Sequence, residues 1–452
     1  MYQQNRIIVI GGNAAGPSAA AKAKRVNPDA DVILFEAGDF ISTGTCELPY
    51  LFSGEIKNHN DLIFFSHEDF FVKKGVKVYT NHLVTKIDAR RREIIVLNKK
   101  TDSVEEYEYD KLVLTTGSSA KEIYNLPYSL ENVFKLKTIS DYIKIDNYLK
   151  SEKVYKILIV GSGYIGLEIA DSLKKVGYTV TLLEKEDLPM PSSDEEVQYL
   201  IKDILEKNNI ELLNGNNQSN FILKNNKLSQ LKCDGRYIDF DMAIVAIGVE
   251  PNNQLGIDAK LKVGYSGGLI VDSRLKTSDP HIYAAGDNIE VVNKITRKGD
   301  YIPLATHAHA FGHIAGENSA GGNRIVNDVV FNSTFFFCGN FIANVGLSQK
   351  AAEEFSINTK YVTAVANNKV KIMPNSSKVF GKILFDKKTK LILGASFVGN
   401  QEISGYADII SSFIYNKIPA ESLGNINYNY TPPLSPFVNI LSILGRKIKE
   451  SY

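Results

Sequence analysis

The chain has 452 residues and a mass of 50.1 kDa, too long for one ordinary hydrophobic core, and at 44% hydrophobic and 23% charged it is neither disordered nor fibrous. With 52 Lys and Arg against 51 Asp and Glu the formal charge is +1, so no global field draws it to nucleic acid or to an acidic membrane surface. Its three cysteines, Cys46, Cys233 and Cys338, are scattered and lack CxxC spacing, which excludes a disulfide framework and a zinc site and points to a reducing compartment.

Along the chain, Met1 to Arg6 run directly into the apolar Ile7-Ile8-Val9-Ile10, leaving no room for a signal-peptide core, and no apolar run approaches the roughly 20 residues a spanning helix needs. A cytoplasmic protein is expected. The strand Ile7–Ile10 leads into Gly11-Gly12-Asn13-Ala14-Ala15-Gly16 and a predicted helix, and a second strand, Val32 to Phe35, ends in Glu36. The same pattern returns as Ile157–Val160, then Gly161-Ser162-Gly163-Tyr164-Ile165-Gly166, then Val180–Leu183 ending in Glu184. Glycines allow a tight turn and close approach to a pyrophosphate, the helix N-terminus faces the anion, and an acid about 20 residues on suits a ribose hydroxyl. Two dinucleotide units follow. The second turn is complete; the first has Asn13 where the second glycine is expected.

Three further strands end in glycine turns: Leu112–Leu114 before Thr115-Thr116-Gly117, Ala243–Ile247 before Gly248, and His281–Ala285 before Gly286-Asp287. They read as buried parallel strands whose C-terminal ends face a ligand crevice. A helix is predicted after Ile302-Pro303-Leu304-Ala305, carrying His307, His309 and His313; without an adjacent acid-and-histidine motif these read as packing or flavin-adjacent residues, and no metal is expected. Beyond residue 325 strand-like runs such as Thr334–Phe337 and Ile383–Phe385 alternate with helical stretches, an α+β pattern. The fold class is α/β: two Rossmann-like dinucleotide-binding domains with a C-terminal α+β domain.

This arrangement resembles the two-dinucleotide flavoprotein disulfide reductases over nearly the whole chain. The resemblance implies FAD in the first unit and NADH or NADPH in the second. It divides the chain into an FAD domain at 1–115, an NAD(P)H domain at 116–245, the rest of the FAD domain at 246–324 and a dimerisation domain at 325–452. The segment His281-Ile282-Tyr283-Ala284-Ala285-Gly286-Asp287 is similar to the family's T-x-Y-A-x-G-D finish, whose Asp binds a flavin ribityl hydroxyl.

The segment Ser42-Thr43-Gly44-Thr45-Cys46-Glu47-Leu48-Pro49-Tyr50 resembles the single-cysteine signature S-F-x-x-C-G/A-L-P-Y of coenzyme A disulfide reductases, NADH oxidases, NADH peroxidases and polysulfide reductases. Leu51 stands where a dithiol enzyme has its second cysteine, so Cys46 alone carries the redox chemistry. Thr43 and Glu47 depart from the signature. Peroxide-handling members have a histidine where this chain has Ala14, which cannot transfer a proton, and this favours a disulfide over oxygen or peroxide. Tyr430-Thr431-Pro432-Pro433 is similar to the Y-A-P-P of coenzyme A disulfide reductases, whose tyrosine crosses the dimer interface to the partner's cysteine, while Met373-Pro374 replaces a second family tyrosine. The catalytic candidates are therefore Cys46, Tyr430 and Ser42. Lys22 and Arg25, i,i+3 neighbours on the first helix, are candidates for coenzyme A phosphates. Glu184 argues for NADH over NADPH, with Lys185 beside it opposing. Flavin charge transfer and nearby helix dipoles are expected to depress the Cys46 pKa.

The function expected is a homodimeric FAD-dependent NAD(P)H:disulfide oxidoreductase acting on coenzyme A disulfide, possessing a coenzyme A mixed disulfide on Cys46, or acting on a similar small disulfide or polysulfide. The alternatives are an NADH oxidase using a Cys46 sulfenate and a flavoprotein reductase passing electrons to a protein partner.

Overall fold

In the computed structural model the described residues are 5–124, 126–215 and 220–451; Met1 to Gln4, the start of the segment in which no secretory signal is read, lie outside them. The first unit is a five-stranded parallel sheet in the order Ile282–Ala284, Lys111–Leu114, Arg6–Ile10, Asp31–Phe35, Lys77–Tyr79. Ile7, Ile8 and Val9 are completely buried, as an apolar strand covered on both faces must be. One face carries helices Ala15–Val26 and Ala305–Ser319. These cross at the closest distance side chains allow: a Cβ added at Gly312 would come within 2.2 Å of the Ala15 carbonyl, and one at Gly316 within 2.1 Å of that of Ala19. The other face is covered by the antiparallel strands His82–Asp88, Glu93–Asn98 and Val104–Glu108, whose Val84, Ile87, Ile94 and Val96 join the same core. Strand Ile282–Ala284 and helix Ala305–Ser319 come from beyond the second unit, so the first unit is discontinuous in sequence.

The second unit repeats the plan with the order Val133–Lys135, Met242–Val245, Lys156–Val160, Thr179–Glu184, Glu211–Asn214. Its entry and exit segments, Ser118–Ala120 and Val249–Pro251, pair antiparallel and hinge it to the first unit. The third unit is an antiparallel sheet in the order Asn332–Phe337, Asn340–Gly346, Ile392–Gly399, Lys378–Asp386, Thr359–Asn367, backed by helices Ile403–Asn416 and Ile440–Glu450. Its open face lies on the second unit, where Phe335, Phe337, Ile342 and Val398 share a core with Leu167 and Ile169. Within that junction Lys382, only 1% exposed, is held by Asp194 at 3.4 Å and Glu196 at 2.7 Å, with the Tyr361 ring 4.2 Å from its ammonium. A buried cation needs such partners, and they fix how the two units sit. Among the described residues no helix is long and apolar enough to cross a membrane.

Candidate active site

Where the three units meet there is one cavity of about 1590 Å³, larger than an ordinary ligand pocket and suited to an extended dinucleotide plus a second ligand. The structure brings to its wall Gly11, Asn13, Ala14, Ala15 and Glu36 from the first unit, together with Cys46, Thr115, Thr116, Gly117, Gly286 and Asp287. The second unit contributes Tyr164 and Ile165.

Both glycine turns are built for an anion. Gly11 has φ +107°, and a Cβ there would lie 2.1 Å from the Thr115 carbonyl, so only glycine fits. Helices Ala15–Val26 and Tyr164–Lys175 both start without a side-chain cap and without an acid in the first turn, which leaves their first N–H groups and positive dipole ends to a ligand. Around Gly163 a Cβ would meet nothing within 4 Å, the open space a pyrophosphate needs. Gly16, Gly161 and Gly166 act behind the turns: a Cβ on Gly16 would come within 1.8 Å of the Gly11 carbonyl, and one on Gly166 within 2.1 Å of that of Gly161. Gly248, φ +103°, turns the chain back toward the hinge strand.

Glu36 accepts one backbone N–H on each oxygen, from Gly12 at 2.5 Å and Gly38 at 2.6 Å, and keeps lone pairs for a ribose. Asp287 accepts from the Ser118 hydroxyl at 2.8 Å and faces the Lys137 ammonium at 3.6 Å. Beside this wall the Asn288 side-chain oxygen is buried and lacks a partner. The acceptor and donor set fits FAD: Glu36 would accept from a ribose, the first turn would hold a pyrophosphate and Asp287 would accept from a ribityl hydroxyl.

Several expectations need correction. Glu184 is not a free ribose acceptor: Ser162 donates to it through both N–H (2.9 Å) and hydroxyl (2.6 Å), and the Lys185 and Glu186 N–H groups take its other oxygen. All four lone-pair positions are used, so a ribose must displace the serine hydroxyl. Lys22 is not free for a phosphate either, because it pairs with Glu317 at 3.0 Å where the two helices of the first unit meet; Arg25 is exposed, and neither residue lines the cavity. Ser42 lies behind the wall, in a left-handed conformation with φ +50°, its N–H donating to the Gly12 carbonyl at 2.8 Å. Tyr430, expected to serve the partner's cysteine and not that of its own chain, lies away from its own cavity, 47% exposed and packed edge-on against Phe437.

Cys46 opens onto the cavity, though protein surrounds most of it. The protein groups around it push its thiol up: burial disfavours the thiolate most, the Glu47, Glu168 and Asp287 carboxylates add to this, and Lys137 opposes them; the lowering expected from flavin charge transfer is a separate contribution. The helix that follows, Leu48–Phe52, is five residues long and its dipole cannot offset these charges.

Sequence reading missed two contacts. Asn13, in the glycine position, accepts from the Thr43 N–H and hydroxyl at 3.2 Å, so the two departures from the family pattern fasten the first turn to the cysteine segment. Glu168, four residues after Tyr164 and so on the same helix face, accepts from the Tyr50 hydroxyl at 3.1 Å and from the Phe336 N–H, joining all three units. Burial raises its carboxyl from the ordinary 4.5 to about 7. A carboxyl raised in the folded state stabilises the fold below its unfolded pKa, and this is lost as pH climbs through about 7, at a cost of roughly 3 kcal/mol. Thermal unfolding followed from about pH 5 to 8 should therefore show the wild type losing more stability than Glu168→Gln over that window. Equal pH slopes would contradict this.

Of the histidines, His307 stacks on Phe311 with ring centroids 5.8 Å apart, and the His309 and His313 rings lie 4.8 Å apart. Among the described residues no cluster could hold a metal ion.

Residues 5–312 match the family described as pyridine nucleotide-disulphide oxidoreductase, and residues 332–439 match its dimerisation domain. The chain is 28% identical over 445 residues to a coenzyme A disulfide reductase of Staphylococcus aureus, covering 98% of this chain and 100% of that one. It is 31% identical over 443 residues to an NADH oxidase of Methanocaldococcus jannaschii, covering 97% of each. Among solved structures it is similar to an NAD-dependent persulfide reductase from A. fulgidus, with a TM-score of 0.94 and 28% identity over 99% of this chain and 83% of that one. With more than half its length matched in one unbroken span, the chain belongs to the pyridine nucleotide-disulphide oxidoreductase family.

Proposed function

We propose that the protein is an FAD-dependent NAD(P)H:disulfide oxidoreductase that reduces coenzyme A disulfide or a similar low-molecular-weight disulfide or polysulfide at Cys46. The observation that carries the reading is a single thiol on the wall shared by both nucleotide units, with Leu51 where a second thiol would stand. FAD and NAD(P)H are the cofactors of this family. FAD, when bound, relays the two electrons of a hydride from the nicotinamide to sulfur.

In this reading residues 1–115 and 246–324 bind FAD, 116–245 bind NAD(P)H, and 325–452 form the interface of a cytoplasmic homodimer. The first turn and Glu36 hold the pyrophosphate and ribose, Asp287 and Ser118 the ribityl chain. The second turn holds the nicotinamide nucleotide with Tyr164 and Ile165 as the wall against it. The buried Glu184 carboxylate disfavours a 2′-phosphate and supports NADH. The Cys46 thiolate attacks the substrate disulfide, and the departing thiolate takes a proton, for which Tyr430 of the partner subunit is the candidate donor.

One observation favours the oxidase as a second reading, the 31% identity to a protein of that name. Ala14 at the turn opposes it, since a methyl group cannot protonate a peroxide oxygen. Purified protein should be yellow with stoichiometric FAD, and its mass spectrum in the oxidised state separates the readings. A small-thiol adduct on Cys46 supports the reductase; a sulfenic or sulfinic acid there favours the oxidase. An unmodified thiol in a protein that turns over no disulfide points to electron transfer to a protein.

A further inference from the structure

The residue after the redox cysteine is a carboxylate. Glu47 lines the cavity and stands at the start of the short helix Leu48–Phe52 without a side-chain capping hydrogen bond, and it folds so closely over the preceding loop that a Cβ on Gly44 would lie 2.7 Å from its Oε2. The other carboxylates near Cys46 have partners. Asp287 has Ser118 and Lys137, and Glu168 has Tyr50 and the Phe336 N–H. Among the described residues no cation pairs with Glu47.

The rest of the wall does not supply the missing charge. Carboxylates outnumber ammonium groups around the cavity. Of its lysines, Lys135 is held by Glu122 at 2.5 Å and Lys137 by Asp287 at 3.6 Å, leaving Lys121, which follows the hinge strand and donates its N–H to the Gly248 carbonyl. Bound FAD adds its own pyrophosphate anion. A substrate sulfur approaching Cys46 therefore meets an unpaired negative charge on the adjacent side chain, in a cleft where water screens it less than at an open surface.

We propose that Glu47 selects the substrate by charge, and that the disulfide reduced at Cys46 carries a protonated amine close to its sulfur, as in the disulfide of a short aminothiol. When such a substrate is joined to Cys46, an ammonium two carbons from sulfur reaches the neighbouring carboxylate and supplies its missing partner. A carboxylate or a terminal anionic sulfur in the same place is repelled. The inference rests on the disulfide reductase reading and narrows its substrate. In the reaction, the Cys46 thiolate attacks one sulfur of RS–SR, the S–S bond breaks, and the first RS⁻ leaves and takes a proton. Two electrons from NADH then cleave the Cys46–S–S–R bond, a second proton completes the other RSH, and the balance is RSSR + NADH + H⁺ → 2 RSH + NAD⁺.

The test compares kcat/KM of the FAD-loaded enzyme for two short disulfides of similar size, cationic cystamine and dianionic dithiodiglycolate, at low ionic strength. The wild type should prefer cystamine by at least about tenfold, and added salt should shrink the preference. Glu47→Gln should collapse the ratio toward one, Glu47→Lys should invert it, and Glu47→Asp should restore the cationic preference. Rescue by Asp separates a charge effect from a packing effect. A wild-type ratio near one, a preference for the dianion, or a ratio unchanged in Glu47→Gln and Glu47→Lys would overturn the proposal. The broader reading falls by a different result, disulfide turnover that persists in Cys46→Ser.

Discussion

Cys46→Ser should abolish NADH-dependent disulfide reduction while the flavin is still reduced by NADH. A serine hydroxyl is neither appreciably ionised nor redox-active, so it can neither open a disulfide nor hold a mixed disulfide. No other thiol can substitute. Cys233 is buried in the second unit, its Sγ donating to the Asn214 carbonyl at 3.0 Å, and Cys338 sits in a hairpin where burial and Asp171 push its thiol up to about 12. Losing the nucleophile should cost at least about 10³-fold in kcat, read as thiol released per unit time. Hydride transfer from the nicotinamide to the flavin uses no thiol, so rapid-mixing traces at the flavin absorbance should keep their wild-type amplitude. Disulfide turnover retained by the serine variant would move the chemistry to another group.

The parts of this site written in local sequence were legible. An apolar strand, a glycine turn and a helix start are contiguous in the chain, and each of the two turns could be read without knowing its neighbours. Asp287 was readable for the same reason, because its strand and turn are one short segment. What escaped depends on which distant segments meet. Strand Val104–Glu108 is mostly exposed and polar and pairs with Glu93–Asn98, so it shows no apolar period of its own. Lys22 looked like a free cation because Glu317, which neutralises it, lies on a helix almost three hundred residues away in the chain. Lys382 is an ordinary strand lysine until Asp194 and Glu196 arrive from the second unit. Glu184 looked like a free acceptor because nothing in the sequence says that the Ser162 hydroxyl turns inward to it. The Cys46 thiol is raised chiefly by burial, which the sequence does not show, and then by the carboxylates of Glu47, its neighbour in the chain, and of Glu168, which comes from another unit.

Tyr430→Phe should lower disulfide turnover by roughly 10²-fold or more, the lower end of what a positioned general acid contributes. The phenol lies 47% exposed on the third unit, in the segment that the family's dimerisation domain covers, and it is held edge-on by Phe437 with ring centroids 5.5 Å apart. Phenylalanine keeps that ring contact and removes only the hydroxyl, so the folded chain and its assembly should be unaffected. If the hydroxyl protonates the thiolate leaving at the partner's cysteine, the loss appears in kcat and in the pH profile of the disulfide step, while flavin reduction by NADH is unchanged. Tyr430→Ala removes the ring as well and with it the edge-on contact to Phe437, so it reports packing; its oligomeric state is read by light scattering alongside activity. Should Tyr430→Phe turn over at the wild-type rate while Tyr430→Ala loses both dimer and activity, the residue is structural. The proton must then come from within the subunit, where the Tyr50 and Glu168 pair, its carboxyl raised to about 7, is the group placed on the same cavity wall.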